Sequence, residues 1–425
     1  MICFFTAQCL KEEFRIVGKN FIAFIRWLFF GIIIGIIVGM VGVLFHFGIE
    51  FATEYRLEHA WILWLLPIGG ILIAFTYRFA GMEKDRGTNF VLVAIRSSEE
   101  KISLRTAPLI FFSTIITHLF GGSSGREGAA LQLGGSIASK IGRMLNLDKK
   151  DRIIFAMSGM SAAFSALFGT PITSVIFSME VITVGIMHYS AIVPCVTSAM
   201  VGASIASYFG VAPTAFQLYG IPEISVLFMI KVLLLSMLCA LLSILFCTFM
   251  KRTSAFYRSW IPDKVLRAFI GGCIVITLTF LVGTTDYNGA GMDVISRAIA
   301  GEAKAEAFLL KIVFTAFTLG AGFKGGEIVP AFFVGSTFGN IAGKLLGLSP
   351  SFGAGIGLVA IFCGVTNCPL TSLILSIELF GIQGLGYFAV AVAVSYILSG
   401  YYGLYSEQKI VYSKIKPIFI DRKAE

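Results

Sequence analysis

Between Phe21 and Phe51 the chain carries a single charged residue, Arg26, before it reaches Glu50. Roughly 20 consecutive apolar residues suffice to cross the hydrocarbon of a bilayer, and this run exceeds that. Val226 to Met250 is a second such run, interrupted only by Lys231. Composition agrees: 57% of residues are apolar and 13% charged, far from the near-quarter charged content of a water-soluble domain. The chain therefore reads as an integral membrane protein, all-α, and a soluble enzyme is excluded. No small-residue cleavage site precedes Phe21, so its segment reads as an anchor that stays in place.

Charge gives the orientation. Lys11, Arg15, Lys19 and Arg26 stand at the start of the first run, and Lys409, Lys414, Lys416, Arg422 and Lys423 crowd the other end. The positive-inside bias puts both termini in the cytoplasm, with an even number of crossings. These cations read as orienting signals and contacts to anionic headgroups, not as a nucleic-acid surface. The cysteines (3, 9, 195, 239, 247, 273, 363 and 368) mostly lie in apolar sequence without CxxC spacing, and read as small buried hydrophobes. The histidines (46, 59, 118 and 188) form no ligand pattern. No metal or cofactor is implied.

The chain repeats itself. Gly121-Gly-Ser-Ser-Gly-Arg-Glu127-Gly leads into an apolar stretch, and Gly322-Phe-Lys-Gly-Gly-Glu327-Ile leads into another 200 residues later. Thr170-Pro171 to Glu180 matches Cys368-Pro369 to Glu378 at an offset of 198, and Gly87-Thr88-Asn89 pairs with Gly291-Met292-Asp293. The organisation expected is a cytoplasmic segment over 1–19, repeats over 20–215 and 225–405, and a cytoplasmic tail over 406–425. Internal repeats in a membrane protein point to a transporter or channel whose site lies between the halves.

Several apolar stretches are too short to span alone. Pro108–Phe120 and Ala129–Ile141 are examples, and Thr170-Pro171 and Asn367-Cys368-Pro369 interrupt longer ones. A helix that ends inside the membrane must be sheltered by protein or face a watery cavity. Its N-terminus presents free N–H groups and partial positive charge, a setting for an anion. The glycine-rich approaches at 122–128 and 325–330 let backbone come close to an ion, and Pro330 suits a first helical turn. Glu127, ionisable within apolar sequence, is the leading functional residue. As a carboxylate it competes with an anion, and once protonated it leaves with its proton. Arg126 reads as structural, pairing with a neighbour or ordering the loop. Glu180 and Glu378 read as residues that end their helices near the interface.

Gly125-Arg126-Glu127-Gly128, the stretch from Phe164 to Glu180, and Gly326 to Pro330 resemble, in order, the motifs of the CLC chloride channel and transporter family, over about residues 20–415. The resemblance implies two inverted halves of tilted, partial helices, a homodimer with one pathway per subunit, and Glu127 as external gate. Departures select a branch. The first motif, Gly-Ser-Gly-Ile-Pro in typical members, reads Gly87-Thr88-Asn89-Phe90-Val91 here; Ala129 replaces a proline; Glu327 and Ile328 replace an apolar residue and phenylalanine. Val181 stands where chloride/proton exchangers carry a second glutamate.

Together these changes resemble the bacterial fluoride/proton antiporters, although Val329 stands where that branch has a threonine. The family's C-terminal tyrosine is Tyr405, with Tyr412 a rival. The resemblance implies ion binding by Thr88, Asn89, Gly125, Arg126, Gly128, Glu327, Ile328, Val329 and Tyr405. Dense donors of this kind suit a small, strongly hydrated anion. A chloride channel or chloride/proton antiporter of the same family is the alternative.

Overall fold

The computed structural model describes residues 7–83, 87–97 and 102–425, without the side chains of 7–13 and 97. Cys3 lies outside the described residues, as do the side chains of Cys9 and Lys11. The architecture is helical, with sixteen α-helices and one small sheet among the described residues.

Eight helices occupy the first half: α1 (Ala7–Glu58), α2 (Leu66–Phe79), α3 (Thr88–Ser97), α4 (Thr106–Leu119), α5 (Glu127–Met144), α6 (Lys149–Phe168), α7 (Pro171–Glu180) and α8 (Ile192–Tyr208). Eight more follow: α9 (Val226–Trp260), α10 (Lys264–Val282), α11 (Met292–Ala300), α12 (Ala307–Ala321), α13 (Ile328–Leu345), α14 (Pro350–Thr366), α15 (Pro369–Phe380) and α16 (Leu385–Leu398). Lengths run in parallel. The fifth helix of each set has 18 residues, and the seventh has 10 and 12. Five segments are long and apolar enough to cross a membrane, and five apolar helices of 10–17 residues are shorter.

The breaks have local causes. α6 stops where Gly169 turns to φ +64, and α7 restarts with Pro171 in its first turn. Asn367 at φ +59 does the same between α14 and Pro369 of α15. Left-handed backbone ends a helix, and proline is tolerated where an N–H would be unpaired anyway.

Small residues let helices meet backbone to backbone. A Cβ on Gly134 of α5 would lie 2.1 Å from the Gly159 carbonyl of α6, and one on Gly339 of α13 would lie 2.2 Å from the Gly353 carbonyl of α14. Without a hydrophobic drive between helices in lipid, such close contact is what holds them together.

α7 and α15 cap each other. The Glu378 carboxylate accepts from the N–H groups of Ile172 (2.9 Å) and Thr173 (2.8 Å). Glu180 accepts from Leu370 N (3.1 Å), Thr371 N (2.9 Å) and the Thr371 hydroxyl (2.5 Å). The sequence suggests that these glutamates merely end their own helices. Each instead satisfies the free donors at the start of the other helix, a long-range pairing that no local pattern encodes.

The C-terminal segment is folded as well. β2 (Lys409–Tyr412) pairs antiparallel with β3 (Phe419–Lys423) and parallel with β1 (Thr183–Val184), which follows α7 directly. Gln408 ties it inward through Nε2 to the carbonyls of Val181 and Thr366, both at 2.9 Å. Lys414 donates to Asn367 Oδ1 at 2.5 Å, so this cation is spent on the fold and not on lipid headgroups.

Candidate ion site between the two halves

The glycine-rich approaches to α5 and α13 meet. Gly125 N donates to the Gly326 carbonyl (2.7 Å) and Gly326 N donates to the Gly125 carbonyl (2.8 Å), a two-residue antiparallel bridge. Both positions require glycine. A Cβ on Gly125 would stand 2.3 Å from Glu127 Oε2, and one on Gly326 would stand 2.5 Å from the same oxygen and 2.8 Å from Glu127 N.

The loop around Asn288 and Gly289 braces the bridge. Gly289 N donates to the Gly122 carbonyl (3.1 Å), Ser124 N to the Gly289 carbonyl (3.2 Å), and Asn288 Nδ2 to the Gly121 carbonyl (2.8 Å). Lys311, fully buried on α12, holds that loop by donating to the Tyr287 (3.1 Å) and Gly289 (2.7 Å) carbonyls.

Glu127 is fully buried. Oε1 accepts from Arg126 N at 3.0 Å and Oε2 accepts from Val329 N at 3.2 Å. The carboxylate of the first half thus occupies the N-terminus of the second half's helix α13, where free donors and the helix dipole favour negative charge. The Arg126 side chain makes no hydrogen bond to it among the described residues. That guanidinium turns to His46 Nδ1 (3.1 Å), the Leu167 carbonyl (3.4 Å) and the Phe168 ring. The hydrogen bonds that hold the carboxylate come from main-chain donors, so adding a proton to Glu127 weakens them.

The other expected residues separate into two groups. Thr88 lies beside the start of α5, with its hydroxyl donating to the Gly128 carbonyl at 3.2 Å. Gly128, Ile328 and Val329 are buried there too. Asn89 points elsewhere: adjacent residues on a helix lie about 100° apart. Its Oδ1 accepts from Glu407 N at 3.1 Å, and it lines a cavity of about 420 Å³ together with Glu327, Lys251, Arg258 and Ser406. Tyr405 is 1% exposed, and its hydroxyl has no partner among the described residues. Its rival Tyr412 is 45% exposed on β2, stacked edge-on with Phe419.

Three further residues escape the sequence reading. Gln132 Nε2 donates to the Gly128 carbonyl (3.1 Å) and the Thr88 hydroxyl (3.3 Å), so it orients both. Its place four residues after Gly128, on the same helix face, is the only sequence signal it gives. Ser124, fully buried, has a hydroxyl without a partner. His118 sits 3.4 Å from the Gly125 carbonyl through Nε2, its own carbonyl held by Arg56 at 3.0 Å. An unpartnered buried hydroxyl costs about 1–3 kcal/mol, a cost that Ser124 and Tyr405 both carry.

Residues 69–400 match the family model described as voltage gated chloride channel. A chloride/fluoride channel protein of Pseudomonas syringae pv. tomato is 33% identical over 395 residues, covering 92% of this chain and 87% of that protein. An H(+)/Cl(−) exchange transporter, ClcA, of Vibrio cholerae is 26% identical over 394 residues, covering 83% of this chain and 81% of its own. Among solved structures, a CLC-type fluoride/proton antiporter superposes with a TM-score of 0.87 at 29% identity, covering 90% of this chain and 97% of that one.

Proposed function

The chain belongs to the voltage gated chloride channel family, and from that premise we propose that it is a fluoride/proton antiporter, exporting fluoride as protons move inward. It is a multi-pass membrane protein with the CLC-type fold. One observation carries the mechanism: the Glu127 carboxylate sits on Val329 N, in the seat an anion would take.

The cycle follows from that seat. Ionised, Glu127 closes the path by holding the donors at the start of α13. Protonated, it gives them up and turns outward, and fluoride takes its place. Fluoride has a tightly held hydration shell, so Val329 N, the hydroxyls of Ser124 and Tyr405, which have no partner among the described residues, and the Thr88 hydroxyl, once it turns from the Gly128 carbonyl, replace that shell. On the inner side Glu327, which lines the 420 Å³ cavity, receives the proton. Val181 is fully buried and its carbonyl is taken by Gln408, so the exchangers' inner glutamate has no counterpart at that place. Fluoride enters cells as neutral HF and is trapped as the anion, and an inward proton gradient drives it out.

The fluoride assignment over chloride draws support from Glu327, Ala129 and Val181, and from the fluoride named for two of the relatives. The repeats span 20–215 and 225–405. The protein acts as a homodimer in the inner (plasma) membrane with both termini cytoplasmic, and is no enzyme.

Vesicles loaded with fluoride or chloride, with and without a protonophore, test the reading. Fluoride efflux should outpace chloride efflux and drive proton uptake, and Glu127→Gln should bring proton movement to background. Equal efflux of the two anions would overturn the fluoride assignment in favour of the chloride alternative.

A further inference from the structure

A second cavity lies away from the ion seat. It measures about 600 Å³ and opens where the ends of α2, α9 and α12 and the start of α10 converge. Arg78, Arg258, Lys264, Arg267 and Lys324 line it, with only two carboxylates, Glu83 and Asp263, among the described lining residues.

Those two acids are already engaged. Glu83 pairs with Arg78 (3.3 Å), and its carbonyl contacts the Lys264 ammonium. Asp263 Oδ1 accepts from Leu266 N at 2.7 Å and so caps α10. Arg267 lines the cavity and donates through Nε to the Ala321 carbonyl (3.3 Å), and Lys324 stands 4.2 Å above the Tyr77 ring. Among the described lining residues cations outnumber carboxylates by three, a balance that suits a polyvalent anion.

The cavity's rim says which anion. Phe79 beside Arg78 is 98% exposed, Trp260 at the end of α9 is 74% exposed, and Phe75 and Phe269 on α2 and α10 are exposed too. Apolar rings on membrane helices face hydrocarbon, and tryptophan favours the headgroup level. Cations in a cleft with lipid-facing rings at its edge fit a phosphate whose ester carries acyl chains.

We propose that this cavity binds the phosphate headgroup of an anionic phospholipid, with its acyl chains lying along Phe75 and Phe79 of α2 and Phe269 of α10. The site shares Ser254, Arg258, Leu319 and Gly320 with the inner cavity that holds Glu327, and Lys324 lies on the loop that leads to Gly326. A bound headgroup therefore sits beside the inner mouth of the ion path. The proposal rests on the fold and the membrane setting, and stands whichever halide is carried.

Native mass spectrometry of the detergent-solubilised protein tests it, with titrations of phosphatidylglycerol, phosphatidylcholine and inorganic phosphate. Phosphatidylglycerol adducts should exceed phosphatidylcholine adducts. The double variant Arg258→Gln with Arg267→Gln should lower the phosphatidylglycerol affinity roughly tenfold or more. Arg258→Gln alone, which breaks no hydrogen bond among the described residues, should give part of that loss. A control that removes two exposed cations elsewhere, Lys149→Gln with Lys150→Gln, should change nothing. Equal retention of the two lipids, an equal loss in the control, or binding of inorganic phosphate without preference for the lipid would each overturn the proposal.

Discussion

Glu127 Oε2 and Val329 N, 202 residues apart in the chain, stand 3.2 Å from each other, the acid of one half on the helix start of the other. The carboxylate fits there only because Gly326 offers no side chain, a Cβ being 2.5 Å from that same oxygen.

Gly326→Ala should therefore drive the carboxylate off its seat. Displacing a reacting group by about an ångström costs on the order of a hundredfold. Proton flux coupled to fluoride should fall by about that factor while fluoride still leaks. Gly386→Ala on α16, where a Cβ meets nothing nearer than 3.7 Å, should leave coupling intact. Parallel fluoride-electrode and pH recordings on reconstituted vesicles check both.

Gln132 orients Thr88 and the Gly128 carbonyl with one amide. Gln132→Leu removes these bonds, each worth about 1 kcal/mol, and should raise the fluoride KM about five- to tenfold with a smaller change in maximal rate. A concentration series of initial fluoride efflux separates the two. A change confined to maximal rate would count against a role in holding the anion.

The reciprocal caps predict an unequal pair of losses. Glu180 is 8% exposed and serves three donors, whereas Glu378 is partly exposed and serves two. Bonds to a charged group contribute about 1.5–3 kcal/mol each before relaxation. Glu180→Ala should lower the thermal denaturation temperature more than Glu378→Ala, and the double variant should lose roughly the sum, since the two carboxylates serve different donors. Intrinsic fluorescence during heating in detergent reads this out.

Outside the membrane segments, Asp286 anchors the loop that braces the bridge of Gly125 and Gly326. Partial burial opposes its ionisation, but Lys304 (3.1 Å) and Arg297 (2.9 Å) outweigh that and hold its carboxyl below the usual value. A carboxyl held low adds stability that is complete above its unfolded pKa and is lost as pH falls through the depressed folded value. The anchor should thus stay constant above about pH 4, including in acid surroundings. Asp286→Asn should lower the denaturation temperature at pH 7, and the difference from the unsubstituted protein should shrink below about pH 3.

Much of this site is legible in the sequence because it is written locally. Glycine-rich approaches, the proline restarts at Pro171 and Pro369, and a glutamate within apolar sequence all act over a few residues, and their duplication points to a shared centre. What local patterns miss is long-range. His46 on Arg126, Gln408 on Val181 and Lys311 on Gly289 join distant segments through single bonds that leave no periodic trace. Thr88 and Asn89 show the same limit at short range: neighbours in sequence, they serve different places because one helical step turns them apart.

The doubly bonded contact of Gly125 with Gly326 has a consequence for motion. It stitches the chain's two halves where the cargo would pass, so swinging one half away as a rigid block would tear both bonds at once. Traffic controlled by rotating one acidic side chain leaves the stitch whole. Substitution at either glycine is then a change to the joint itself, felt on both sides of the molecule.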